Sequence, residues 1–208
     1  MDDTSTLGAA RARYLAAAGL GDGGYDDPLV RLRFGRLVVD LPNTTGRRKA
    51  VPLHDLHHVL TGYPAGNWQG EFAISAWEIA TGCGRFITGW AIDLGGLAAG
   101  ALVYPRTTFA AFVRGRRSHS LYREYPQGPT PELLAQPVAL VQTRLHLDRA
   151  VAPATGGDAL RFACWLVIAL PAIVIHFAAA LVLGPLLWLA GPLLRRRVRV
   201  RSFRGSHR

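Results

Sequence analysis

The chain has two cysteines and, against twenty-three arginines, the single lysine Lys49. Cys83 and Cys164 stand far apart and neither belongs to a CxxC pair. That excludes a disulfide framework and a thiolate metal site built from sequence neighbours, so both are expected to be structural filler. The scarcity of lysine, together with abundant alanine, glycine and leucine, reflects the coding bias of a GC-rich genome and not a function. Met1-Asp2-Asp3-Thr4 is acidic and no apolar core follows it, unlike a secretory signal. The folded part is therefore expected on the cytoplasmic side. No internal repeat is visible. Acidic residues are absent after Arg195, where seven arginines follow one another closely, whereas residues 1–160 hold sixteen basic and fourteen acidic groups. The formal charge of +10 is thus largely a property of the tail. A nucleic-acid protein spreads such charge over its folded surface, so no nucleic-acid partner is expected.

What the chain does have is His54-Asp55-Leu56-His57-His58, then Val59-Leu60-Thr61-Gly62, then Gly70-Glu71. On a helix His54 and His58 are i and i+4, so their imidazoles share a face with Asp55 beside them. Two imidazoles and a carboxylate supply most of a shell for a divalent metal. Glu71, brought back by a turn between Gly62 and Gly70, adds an oxygen. The candidate metal ligands are His54, Asp55, His58 and Glu71, with Asp55 and Glu71 also the candidate catalytic carboxylates. Zinc, iron and manganese all suit such a set. Glu78, seven residues beyond Glu71, shares its face and is expected either behind the ligands or in a surface salt bridge.

These residues resemble the metal-binding signature of the coenzyme Q (ubiquinone) biosynthesis protein 4 family, H-D-x-x-H followed by Gly-Glu. His54, Asp55, His58 and Glu71 are the matching positions. Ala76-Trp77-Glu78 and Val113-Arg114-Gly115-Arg116-Arg117 through Leu121-Tyr122 resemble later elements of that family, so the similarity spans residues 51–147. The resemblance implies a metal-dependent step on the head group of a prenylated quinone precursor, at the decarboxylation stage of ubiquinone biosynthesis. It also implies other quinone-biosynthesis enzymes as partners. A non-catalytic lipid-binding or scaffold protein with a structural metal is the alternative.

The pattern predicts a mainly α-helical fold. In residues 1–50, a short helix over 7–18 stops at Gly19, and a glycine-rich turn follows at 21–24. Residues 30–34 and 37–39 form a β-hairpin about Gly35-Arg36, and a loop runs over 41–46. Arg47-Arg48-Lys49 is either a solvated face or a cationic mouth for lipid phosphate or an anionic substrate. Residues 51–150 form the helical metal-binding core. Pro52 opens the helix carrying the histidines, and a second helix runs over 71–81. Residues 86–103, apolar with four glycines and one acid, Asp93, form a central helix of the domain in preference to a membrane span. A helix over 105–114 follows, and Thr130-Pro131-Glu132 opens one over 133–147, bent or interrupted at Pro137.

Residues 162–194 contain thirty-three positions without Asp, Glu, Lys or Arg. A straight helix of that length would measure about 50 Å against a hydrocarbon core of about 30 Å. Pro171, Gly184-Pro185 and Gly191-Pro192 interrupt the run. It is expected to anchor the protein in a membrane, as a hairpin returning to the cytoplasm or as a span plus an interfacial piece. The arginine-rich tail, 195–208, would then lie against the cytoplasmic lipid headgroups. A solitary His176 within the run is expected to bond a neighbouring helix.

Overall fold

Short polar side chains set where the first three helices begin. The computed structural model describes residues 5–34, 37–172, 174, 175 and 178. In it, Thr6 accepts the Ala9 N–H to open α1 (Leu7–Ala17), and Thr44 accepts the Arg47 N–H to open α2 (Thr45–Thr61). Asn67 accepts the Gly70 N–H to open α3 (Trp68–Thr81). Each bond satisfies a donor that the first turn of a helix leaves without a partner. Between α1 and α2, β1 (Leu29–Phe34) and β2 (Leu37–Pro42) pair antiparallel, from Leu29 opposite Pro42 to Phe34 opposite Leu37. The predicted hairpin is there, and its turn at Gly35-Arg36 lies outside the described residues. Next come α4 (Ile87–Val103), α5 (Pro105–Gly115), the short α6 (Pro131–Leu134) and α7 (Val138–Arg144), and finally α8, residues 156–172. The fold is mainly helical.

Several boundaries differ from the sequence expectation, among them the start of α3, at Trp68 and not at residue 71. The stretch expected as a loop over 41–46 is the end of β2 and the cap of α2. Pro52 lies inside α2 and not in its first turn, because the Thr44 cap starts the helix eight residues upstream. Its missing N–H removes one helical hydrogen bond, and burial of its ring offsets part of that cost. The helix expected over 133–147 is interrupted at Pro137, one of the two alternatives there, into α6 and α7, and it ends at Arg144. Pro137 has extended backbone and disfavours helical geometry at Gln136, and the broken segment instead pairs with the N-terminus. There Leu7 N–H donates to Gln136 O at 2.8 Å and Val138 N–H to Ser5 O at 3.0 Å.

The core is built around α3, whose Ile74, Trp77 and Glu78 are fully buried against α4, α5 and α2. Glycines set how near the neighbours come. A Cβ on Gly100 of α4 would lie 2.7 Å from the Phe72 Cβ, and one on Gly115 at the end of α5 would lie 2.6 Å from the Trp77 carbonyl oxygen. The apolar, glycine-rich stretch expected as a central helix is therefore α4, packed on α3 with Asp93 buried. No helix among the described residues is long and apolar enough to cross a membrane. Of the run expected to anchor the protein, 162–172 belong to α8. His176, most of the remainder of that run and the arginine tail lie outside the described residues.

The end of α2 is held from several sides, which fixes the histidines. Gly62 takes the left-handed conformation that suits a helix stop, at φ 77°, and its N–H donates to His58 O at 2.9 Å. The Leu60 and Thr61 carbonyls accept from Gln142 Nε2 and Arg114 Nη1, each at 2.8 Å. The chain then turns back into α3 with Gly70 pressed on the Pro64 carbonyl, where an added methyl would overlap the oxygen. Gly70→Ala is expected to destabilise the fold by about 2–3 kcal/mol, read as a lower urea midpoint. An unchanged midpoint would mean that this turn is not tight in solution.

Candidate metal centre

The helical spacing of His54 and His58 does what the sequence suggests and brings their Nε2 atoms to 3.2 Å. Glu71, in the first turn of α3, puts Oε2 3.5 Å from His58 Nε2 and 3.8 Å from His54 Nε2. These three residues could hold a metal ion. The hydrogen bonds behind them fix which ring atoms are free. His58 Nδ1 faces the Tyr63 carbonyl at 2.9 Å, and His54 Nδ1 faces Glu78 Oε2 at 3.1 Å. Both partners only accept, so both Nδ1 atoms carry hydrogen and both Nε2 lone pairs point at each other. Two lone pairs at that distance repel unless a proton or a cation lies between them. Ligand atoms around a tetrahedral divalent ion sit about 3.3 Å from one another, given bonds of about 2.0–2.1 Å. The donor set and its spacing fit such an ion.

Glu71 is aimed by its second oxygen, Oε1, which accepts the Gly66 N–H at 3.1 Å. Burial would raise its carboxyl, but the imidazoles of His54 and His58 outweigh burial and hold it well below the usual carboxylate range. The reciprocal effect falls on His54. Burial pushes that imidazole down, yet Glu78 and Glu71 prevail and hold it well above its ordinary value.

Behind the pair lies a buried carboxylate that links three elements. Glu78, with no exposure, accepts from His54 through Oε2 and from His57 through Oε1 at 2.6 Å. His57 is caged between Trp77 and Tyr122, with ring centroids at 5.1 and 4.7 Å, and its Nε2 accepts the Leu121 N–H at 3.0 Å. Its proton is therefore on Nδ1 and directed at Glu78. Burial drives the His57 imidazole down, and Glu78 offsets this only in part. Asp93 completes the layer, its carboxyl close to Glu78 and accepting from Cys83 Sγ at 3.3 Å. Burial and the Glu78 charge hold the Asp93 carboxyl well above its usual range, while the surrounding imidazoles, against burial, hold Glu78 well below. The two carboxyls are thus pushed in opposite directions, Asp93 toward its neutral form and Glu78 toward its charged one. His54, Glu78 and Asp93 also stand close enough together to hold an ion, but their hydrogen bonds make them a support for the outer trio.

Asp55 is placed differently from the expectation. Among the described residues it belongs to neither group of ligand atoms. Its Oδ2 instead accepts the Tyr25 hydroxyl at 2.5 Å. Tyr25 sits in the loop before β1, and Asn43 fastens that loop by donating from Nδ2 to the Tyr25 and Asp27 carbonyls at 2.9 and 2.8 Å. Burial raises the Asp55 carboxyl against the pull of Tyr25 and the two imidazoles. Asp55 still lines, with His54, His58, Glu71, Tyr14 and Arg47, a pocket of about 270 Å³. Of the cationic run, Arg47 is the one lining this pocket, its guanidinium bonded to Asn43 Oδ1 at 3.2 Å. Lys49 instead donates to Gln127.

Glu78 is in no surface salt bridge, the second expectation for it. His57, Tyr25 and Tyr14, which stacks on His58 at 5.7 Å, carry no sequence signal of their own, although His57 falls inside the motif. Comparison with protein-family models, curated proteins and solved structures gave no match for this chain.

Glu78→Gln replaces one acceptor oxygen with a donor that faces an N–H. It is expected to lower metal affinity by about 10–100-fold and stability by about 1–3 kcal/mol. Chelator competition and urea unfolding of the same sample measure the two. An affinity equal to wild type would show that Glu78 does not orient His54.

Proposed function

We propose that the protein is a metal-dependent enzyme acting on the head group of a prenylated quinone precursor or a similar lipid. One observation supports this most: the two Nε2 lone pairs and Glu71 Oε2 converge at the wall of an open pocket. Structural metal sites are closed by four protein ligands, and catalytic ones keep three and leave a position open. Three ligands at a pocket favour catalysis over the scaffold alternative. A divalent ion bound there would supply Lewis acidity toward an oxygen of the head group.

The chain's own residues account for the rest. His54 and His58 bind through Nε2, each ring oriented by the acceptor on its Nδ1. Arg47 stands at the same pocket as a half-buried guanidinium, suited to an anionic substituent of the ring such as a carboxylate. Tyr14 gives the pocket an aromatic wall. Asp55, with its carboxyl raised and its oxygen paired to the Tyr25 hydroxyl, is placed to take up or return a proton at the head group. A lipid substrate fits the expected membrane anchor, because the prenyl tail can stay in the bilayer while the ring enters the pocket. The particular reaction, at the decarboxylation stage, rests on the family resemblance.

Elemental analysis of untagged protein tests the premise. The expected outcome is about one equivalent of zinc, iron or manganese, falling severalfold in His58→Ala. Absence of metal from both, with no uptake of any of the three, would sink the proposal. Glu71 is partly exposed, so Glu71→Ala should fold normally while losing turnover. Loss of folding alone would support a structural metal.

Uptake is also expected to depend on pH. Glu78 and Glu71 push the His54 imidazole toward its protonated form, and binding needs its Nε2 lone pair. Metal uptake at pH 7 should therefore release a proton into a weakly buffered indicator solution. Affinity should fall about tenfold per unit as pH drops below the His54 value. Uptake without proton release would mean that His54 is not a ligand.

A further inference from the structure

The outer side of α8 is apolar along its length. Its inner side is fully engaged. Asp158 accepts the Thr155 N–H at 2.9 Å and pairs with Arg116 and Arg117 at 3.0 and 2.9 Å, which pins the start of the helix to the end of α5. Phe162 meets Phe109 and Phe112 edge-on at 5.2 Å, Trp165 stacks on Trp90 at 5.5 Å, and Ala169 is fully buried. These positions, three and four apart, are one helical face. The other face holds Leu160, 67% exposed, Val167, 73%, and Ile168, 53%. Leu170, Val174 and Ile175 are also exposed. Near the Trp90 contact, α4 adds exposed Ile87 and Ile92. So large a patch marks a surface that something covers.

We infer that this face is seated at the headgroup and acyl boundary of an anionic lipid bilayer. Composition identifies the occupant. From 162 to 194 the chain has no charged, amide or hydroxyl-bearing side chain, and His176 is its one polar residue. A protein partner or a second copy accounts for one side of α8 alone, whereas a bilayer also suits the equally apolar sequence that follows it. The flanks carry matching charge. Arg161 is exposed at the near end, and Arg195-Arg196-Arg197 opens a segment with seven arginines and no acid at the far end. This inference deepens the lipid-substrate proposal but does not require the metal.

The native cysteines provide the test. Cys164 is exposed on α8 and Cys83 is buried, so a thiol-reactive, environment-sensitive fluorophore on the native full chain reports from the outer face. The labelled protein, taken from mild detergent into vesicles of phosphatidylcholine with phosphatidylglycerol, is expected to shift its emission to the blue. Lipids carrying a nitroxide on the acyl chain are expected to quench it. The shift should be weaker with phosphatidylcholine alone. Val167→Asp, at an exposed position, should reduce quenching severalfold with folding and metal content unchanged. Three results would overturn the inference: unshifted emission from protein that floats with the vesicles, equal shifts in neutral and anionic vesicles, or a blue shift without lipid that grows with protein concentration. The last would identify a second copy as the occupant. Metal content, measured separately, keeps failure here distinct from failure of the metal site.

Discussion

A carboxylate with no access to water is costly unless its oxygens are satisfied, and the Glu78 carboxylate is satisfied by the very rings that the candidate site needs. His57 supplies one N–H and His54 the other. Because Glu78 belongs to α3 and both histidines to α2, the bond pair fixes how the two helices meet. Because His57 also accepts the Leu121 N–H, the chain after α5 is tied to the same point. The requirement to pair a buried charge thus orients His54 and locks three parts of the core together. Asp93, its carboxyl pushed toward the neutral form by burial and by Glu78, limits the negative charge of the layer.

The charges across the site follow from that arrangement. Glu78 and Glu71 lie on opposite sides of the His54 ring, one behind Nδ1 and one before Nε2. An imidazole between two carboxylates favours a positive charge, whether a proton or a metal ion provides it. Turned toward the imidazoles, Asp55 would add a third negative charge at the same place. The Tyr25 hydroxyl instead donates to its Oδ2 and holds the carboxylate toward the loop before β1. The loop before β1, remote from the histidines in sequence, thereby sets the chemical character of one wall of the pocket.

How much of this was legible in the sequence depended on the range of the interaction. The i, i+4 pairing of His54 and His58 is local, and helix geometry alone gives it. The hairpin, the stops at Gly19 and Gly62 and the Thr130 cap are local too. Glu78 could be placed on the Glu71 face, but its burial could not, since that depends on α2 and α4 closing over it. His57 looked like a neighbour of the ligands. Its ring points from a different side of α2, into a cage of Trp77 and Tyr122 that only the folded core creates. The Asp55 partner lay thirty residues away in an irregular loop. Pro52 misled because a proline reads as a helix start, when a threonine cap farther upstream had already begun the helix.

Glu71 shows why sequence spacing constrains a site less on one side of a turn than within a helix. Twelve residues separate it from His58, and much of that interval is the loop between α2 and α3. A residue gained or lost in a loop changes its path, whereas the same change between His54 and His58 would rotate one ring off the shared face. What places Glu71 is its position in the first turn of α3. There the Asn67 cap fixes the backbone, Gly70 allows close approach to Pro64, and the Gly66 N–H holds one carboxylate oxygen so that the other faces the imidazoles. The local geometry at the start of α3, more than the length of the connection, determines whether the third ligand arrives.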